Sequence, residues 1–331
     1  MNDKFKALVV SEKGGKFVRR IEEKNINGFH KNEVLINVKY SSLNYKDALS
    51  ANGNKGVTRI YPHTPGIDAA GIVVASSNKK NKVGEEVIVT GFDLGMNTPG
   101  GFGQYISVPA DWIVAKPKNL SLKESMVYGT AGFTAALSVY QLEKNGLRLS
   151  GDEVLVTGAS GGVGSMAIAI LSKAGYSITA LTGKLDKENY FKKIGAKKIL
   201  DRNSFNELPD KALLKTQWNG VVDTVGGEIL SRAIKSIKLW GSVAVCGNAA
   251  SPNLELTVYP LILRGVNLLG IDSATCPAEL RDKIWQKISS EWKLDNLDEI
   301  YEEVSLEELS DKIDLILKGQ ITGRVLVNLE K

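Results

Sequence analysis

Only two cysteines and two histidines occur among 331 residues. Cys246 and Cys276 give no disulfide framework, which fits a reducing compartment. Together with His30 and His63 they are too few and too scattered to supply the thiolate and imidazole ligands of a usual transition-metal site. No apolar run reaches the length of a bilayer span, so a membrane protein is not expected. The opening "MNDKFKALVV" has neither an apolar signal core nor a small-residue cleavage site, and the cytoplasm is the expected location. There is no internal repeat and no low-complexity tract. Net charge is +5, but lysines and arginines are interspersed with acids. The densest cluster, "SSNKKNKVGEE", reads as a solvated loop, so nucleic acid is not an expected partner.

What is present falls into two halves with different rhythms. Residues 5 to 115 hold short strand-like runs, "KALVVSE", "KFVRRIE", "EVLINVKY", "DAAGIVVAS", "EEVIVTG" and "GQYISVP", separated by glycine-bearing turns. That pattern marks a twisted barrel or sandwich. From Gly151 onward six short apolar runs alternate with helical stretches, the pattern of a doubly wound parallel sheet and an α/β fold class. The tail carries two amphipathic helices, "AELRDKIWQKISSEW" and "LEELSDKIDLILKG", and a last strand, "RVLVNLE". The tail is expected to rejoin the β-rich half. The division is then residues 1–125 with 274–331 as one domain, and residues 126–273 inserted as the other.

At the head of the second half, "VLVTGASGGVGS" (Val154 to Ser165) is a strand, a glycine loop and a helix start. A P-loop fails, because Val163 stands where its second glycine belongs and no lysine follows. The T-G-x-x-x-G-x-G pattern of short-chain dehydrogenases is met, but none of Tyr176, Tyr190, Tyr259 and Tyr301 has a lysine four positions on. The remaining reading is a dinucleotide loop, G-x-G-x-x-G with its first glycine replaced: Ala159, Gly161, Gly164. Gly161 would let the backbone approach a pyrophosphate, Gly164 would let helix pack on strand, and the helix amino end would face the phosphates. At the end of the next strand, where an NAD site places an acid, stand Thr182, Gly183 and Lys184. A hydroxyl, a small residue and a cation suit the 2′-phosphate of NADP; Arg202 after the third strand reads either as a second contact to that phosphate or as a surface charge. Asp186, the nearest acid, is expected to cap the helix from Lys187.

This organisation resembles the medium-chain dehydrogenase/reductase superfamily over essentially the whole chain. Zinc-dependent members carry a cysteine ligand after an early strand, an aspartate three residues on, and a Gly-His-Glu further along. Here those positions read Asn44, Asp47 and Gly66-Ile67-Asp68, and residues 85 to 130 hold no cysteine for a structural zinc lobe. Asn and Ile cannot replace thiolate and imidazole. "SSLNYKDAL", "PGIDAAG", "GTAGFTAA", "VTGASGGVGS", "DTVGG" and "GIDS" are similar to the zinc-free quinone oxidoreductase branch, in its YhdH/YhfP-type subgroup, which includes NADPH-dependent acryloyl-CoA reductases.

The resemblance implies a GroES-like catalytic domain, an inserted Rossmann domain, and NADPH as cofactor. It places Tyr45 beside the nicotinamide, has Ser160, Gly161, Gly162 and Val163 with Thr182, Gly183 and Lys184 hold phosphates, and adds cofactor contacts from Arg202, Asn248, Ile262 and Ser273. Thr134 is read either as a nicotinamide contact or as part of a helix cap, and Arg324 either as a contact to a phosphate or coenzyme A or as a surface pair. The expected reaction is hydride transfer to an α,β-unsaturated carbonyl or a quinone, a small-molecule acceptor. Asn44 and Tyr45 are the expected donors to the oxygen that gains charge. A redox-inactive NADPH-binding protein is the rival from another class. Lys55 and Arg59 follow in a loop where an anionic coenzyme A arm could lie. Val266, Leu268, Leu269 and Ile271 would form an apolar edge strand, so a homodimer is expected.

Overall fold

A computed structural model describes residues 4–26, 33–149 and 151–331; His30 lies outside them. The chain forms two compact units, Met1–Thr130 with Tyr301–Lys331, and Ala131–Ile300.

The first unit opens with the antiparallel pair β1 (Lys4–Lys13) and β2 (Lys16–Asn25). Then follow β3 (Glu33–Leu43), the short helix α1 (Tyr45–Ala51), β4 (Asp68–Ser76), β5 (Glu86–Thr90), β6 (Tyr105–Pro109) and β7 (Ile113–Ala115). Strand β3 is the organising element, because it pairs antiparallel with both β4 and β6. Alternation decides its faces: Val34, Ile36 and Val38 enter a core with Leu8, Val10, Val73, Val87 and Phe102, as a period of two requires. Helix α2 (Leu122–Lys144) carries the chain out of this unit, and it is not one continuous helix. Gly129, at φ 49° and ψ −155°, breaks it one residue before Thr130.

The second unit is built on six parallel strands: β8 (Glu153–Val156), β9 (Ser177–Thr182), β10 (Lys198–Asp201), β11 (Trp218–Asp223), β12 (Ile237–Val245) and β13 (Asn267–Gly270). Between them lie α3 (Gly162–Lys173), α4 (Glu188–Lys193), α5 (Arg202–Asn206), α6 (Gly227–Lys235) and α7 (Tyr259–Arg264). The spatial order β10-β9-β8-β11-β12-β13 reverses direction between β8 and β11, and such a switch point leaves a crevice at the carboxyl ends of the strands. Both faces are covered, so strands such as "EVLV" and "SITALT" are apolar and buried along most of their length, as parallel sheets demand.

Helix α8 (Ala278–Ile288) follows, and it belongs to the second unit, not to the returning tail. The reason is packing: Trp285 stacks on Phe133 at 5.9 Å between ring centroids, and Arg281 donates to the carbonyls of Ser273 and Ala274. The chain re-enters the first unit as β14 (Tyr301–Ser305), α9 (Leu309–Leu317) and β15 (Arg324–Asn328), with β15 antiparallel to β3. Asp186 does not cap a helix as expected; it lies within a 3-10 turn, Leu185–Lys187, that precedes α4. Among the described residues no helix is long and apolar enough to cross a membrane.

Candidate active site

In the first unit the tetrapeptide Asn44-Tyr45-Lys46-Asp47 sits where β3 ends and α1 begins. Asn44 takes the N-cap position in extended conformation, and Tyr45 is the first helical residue. Their environments differ sharply: Tyr45 is 45% exposed, Asn44 9% and Asp47 fully buried.

Asn44 is held by its side chain. Its amide nitrogen donates to Asp68 Oδ2 at 2.7 Å and to the Ser42 carbonyl at 3.2 Å, and its Oδ1 accepts from Arg324 Nη1 at 3.2 Å. Both amide protons are therefore engaged, which corrects the expectation that Asn44 serves as an oxyanion donor.

Asp68 organises this cluster. Oδ2 also accepts from Ser42 Oγ at 2.6 Å, and Oδ1 from Thr130 Oγ1 at 2.5 Å, while the Thr130 amide addresses both oxygens at 3.0 and 2.9 Å. Arg324, only 3% exposed, donates to the carbonyls of Val127 and Leu43 and to Ser42 Oγ at 2.7 Å, with Nη2 3.8 Å from Asp68. Its guanidinium is thus spent inside the unit and is not a surface pair. A side chain at position 129 has no room in this cluster: a Cβ there would fall 2.5 Å from Ser42 Oγ, 2.6 Å from Asp68 Oδ2 and 2.9 Å from Arg324 Nη2.

Asp47 faces main chain. Its Oδ2 accepts the Asn44 amide and its Oδ1 the Ile67 amide, each at 2.8 Å. Burial, with the charge of Asp68 second, pushes its carboxyl up to about 7 against the two amides that favour the anion. Lys55, expected beside an anionic arm, instead pairs with Glu12 at 2.9 Å and lies over the rings of Phe17 and Tyr61. His63 is a buried loop residue, and burial lowers its pKa.

In the second unit the glycine loop lies at the carboxyl end of β8, at the switch point. Its glycines are crowded to different degrees. A Cβ on Gly164 would come 2.3 Å from the Gly158 carbonyl oxygen, and Ala159 is fully buried. Gly161, the N-cap of α3, has ordinary dihedrals (φ −77°, ψ 171°), and its Cβ would meet nothing nearer than 3.3 Å. Its missing side chain matters to whatever approaches the helix end, which is the cradle a pyrophosphate fits. Ser160, Gly162 and Val163 flank it in the same turn.

The tip of β9 gathers the residues expected at the 2′-phosphate. Asp201 is in register with Thr182, so the strand ends bring Arg202 to Gly183. A Cβ on Gly183 would sit 2.8 Å from Arg202 Nη2. The Lys184 amide donates to Thr182 Oγ1 at 3.0 Å, and partial burial pulls the Lys184 ammonium downward. Hydroxyl, glycine, lysine and arginine thus share one end of the sheet. Asp201 caps α5 through the Asn203 amide at 3.2 Å. Of the other expected contacts, Asn248 is exposed just after β12, Ile262 is 67% exposed on α7, and Thr134 Oγ1 donates to Ser273 Oγ at 2.7 Å.

Sequence reasoning missed a clamp at the switch point. Asp223, ending the apolar strand β11, accepts from Thr157 Oγ1 at 2.7 Å and from the Gly226 amide at 2.8 Å. Thr224 Oγ1 in turn donates to the Thr157 carbonyl at 3.0 Å. The signal was an acid closing an otherwise apolar run, "GVVD". Cys246 beside it is no nucleophile: burial, then the charge of Asp223, pushes its thiol up to about 12.

Comparison with known proteins gives two family models: the alcohol dehydrogenase GroES-like domain at residues 30–118 and the zinc-binding dehydrogenase domain at 162–290. Zinc does not fit the donor set here. Ile67 offers no ligand atom, Asn44 Oδ1 accepts from a guanidinium, and the Asp68 oxygens are already met by Ser42, Asn44 and Thr130. The acrylyl-CoA reductase AcuI of Ruegeria pomeroyi is 42% identical over 327 residues, 98% of this chain and 99% of its own. The Bacillus subtilis protein yhfP, solved with NAD bound, superposes with a TM-score of 0.95 at 46% identity, covering 98% of this chain and 99% of that one. The yhdH oxidoreductase of Salmonella enterica, solved with NADP, gives a TM-score of 0.94 at 39% identity with the same coverage. With a GroES-like unit, a Rossmann unit and these relatives along its whole length, the chain belongs to the medium-chain dehydrogenase/reductase superfamily of oxidoreductases, in its YhdH/YhfP-type branch.

Proposed function

We propose that the protein reduces an activated carbon–carbon double bond, that of a small enoyl thioester such as acrylyl-CoA, at the expense of NADPH and without zinc. The observation that carries the cofactor half is the shared strand end: Thr182, Gly183, Lys184 and Arg202 at the tips of β9 and β10, beside a glycine loop in which Gly161 caps α3. Lys184 and Arg202 would hold the 2′-phosphate, and the first turn of α3 the pyrophosphate. Bound NADPH supplies the hydride.

The acceptor half follows from the replaced ligand positions. Without a Lewis acid to polarise a plain carbonyl, the acceptor must already be electron-poor, and the oxygen that gains charge must meet a protein donor. The Tyr45 hydroxyl is that donor, and Asn44 orients it from the N-cap. The 42% identity to an acrylyl-CoA reductase supports a thioester. The loop of Lys55 and Arg59 does not add to that support, because Lys55 is committed to Glu12.

The test is kcat/KM with NADPH for acrylyl-CoA, a free acrylate ester and a simple quinone. Binding energy from the coenzyme A arm should raise kcat/KM for the thioester. Equal or better turnover of the ester or the quinone would overturn the thioester reading. Tight NADPH binding with no turnover of any acceptor would favour a redox-inactive NADPH-binding protein.

A further inference from the structure

We propose that Asp47 is the positioning residue for Tyr45: its carboxylate staples the N-cap of α1 to the main chain at Ile67 and so fixes where the tyrosine is presented. The inference rests on the donor role given to Tyr45 above.

The geometry places a pinned residue on each side of an exposed one. Tyr45 lies between Asn44 and Asp47 in the first turn of α1, and the residue is 45% exposed. Asn44 is fixed twice, by its side chain on Asp68 and Arg324 and by its main-chain amide on Asp47 Oδ2 at 2.8 Å. The other Asp47 oxygen reaches across 20 residues of sequence to the Ile67 amide, also at 2.8 Å. A seven-residue helix has little stability of its own, so this clasp sets the helix start. Asp47 is fully buried and out of reach of substrate, which makes it a positioning group and not a catalytic one. The clasp is complete only in the ionised form, so kcat is compared above about pH 7, where Asp47 has lost its proton. Two main-chain N–H groups face two oxygens, whereas an asparagine of the same size would meet one of them with its own NH2 group. The stretch Gly66-Ile67-Asp68 then has a use independent of metal: its middle residue contributes an amide, for which isoleucine serves as well as any other residue.

Three variants test this: Asp47→Asn, Tyr45→Phe and the double substitution. Asp47→Asn should lower kcat for acrylyl-CoA by about 10- to 100-fold, the size expected for a misplaced reacting group. The Kd for NADPH should stay within about twofold, and the double variant should be no slower than Tyr45→Phe alone. Losses that multiply, or a kcat within about twofold of the parent alongside a lower Tm, would overturn the proposal. If the parent enzyme reduces none of the acceptors, the reduction reading fails and the positioning claim is read by NMR. The Tyr45 ring resonances should shift in Asp47→Asn while the Gly161 amide stays in place; unchanged ring resonances would sink it. If Asp47→Asn does not fold, amide exchange in the parent chain decides. Asn44 and Ile67 should be protected together and open at one shared rate; an Asn44 amide that exchanges like a loop would refute the clasp.

Discussion

Arg324 reaches Asp68 through a third residue. Its Nη2 donates to Ser42 Oγ at 2.7 Å, and the same hydroxyl donates onward to Asp68 Oδ2 at 2.6 Å, while the direct separation of cation and anion is 3.8 Å. Both charged side chains are at most 2% exposed. Removing one partner of such a buried pair strands the other charge, at a cost of about 3–5 kcal/mol. Arg324→Met and Asp68→Asn should each lose stability of that order in chemical denaturation. The double variant should lose clearly less than the sum of the two. Additive losses would mean that Ser42 does not couple them.

Cofactor choice is expected to depend on Lys184. A charge-assisted hydrogen bond to the 2′-phosphate contributes roughly 1.5–3 kcal/mol. Lys184→Glu should therefore weaken NADPH by about tenfold or more and leave NADH nearly unchanged, as read by fluorescence titration of both. Equal weakening would show that Lys184 does not read the phosphate. The comparison is pointed, because one solved relative carries NADP and another NAD.

Asp47 should make stability fall as pH rises across the acidic range. In the folded chain its carboxyl keeps a proton up to about pH 7, against 3.8 for the ordinary group. Between those values the folded state binds more protons than the unfolded state, so stability declines with pH and levels off above about 7. Asp47→Asn has no proton to lose and should lack that part of the slope. Urea denaturation at several pH values between 4 and 8 measures it, and an unchanged slope in the variant would assign the titration elsewhere.

Assembly is expected to use the β13 edge. Leu268 on that strand, Ile262 and Leu263 on α7, and Leu239 with Trp240 in β12 all leave large apolar side chains in solvent, and Trp240 holds a positive φ of 61° while doing so. An open strand edge beside such a patch invites a second copy. Light scattering should give about twice 35.8 kDa, and Leu268→Lys with Leu263→Lys should halve it. A monomer at micromolar concentration in the parent chain would end the proposal.

The sheet of the second unit and its glycine loop were legible because their signals are local: apolar runs of strand length, helical stretches between them, and glycines at fixed spacing. The Asp68 cluster was not. Ser42 and Arg324 are 282 positions apart, and no periodicity announces such a partner. Asn44 stands out in sequence by its position after β3, but its engagement could only be seen once Asp68 and Arg324 were placed around it. Helix α8 reads as amphipathic in sequence, but nothing in its stripe says that Phe133 will be the surface it meets. Asp186 precedes a helical pattern as a cap would, and the chain spends it in a 3-10 turn instead.

The break at Gly129 bears on how these units can be recombined. Position 129 leaves no room for a side chain because Ser42, Asp68 and Arg324 crowd it, and the residue after it is held by Asp68. A chimera joined at residues 130 and 300 would look like a clean exchange of one compact unit for another. Ser42, Asp68, Gly129 and Arg324 all lie in the first unit and stay together in that exchange, so only a join that falls inside the unit separates them. Four positions scattered over the gene are thus one heritable trait, and a library that shuffles them singly would discard most of its members before any activity is measured.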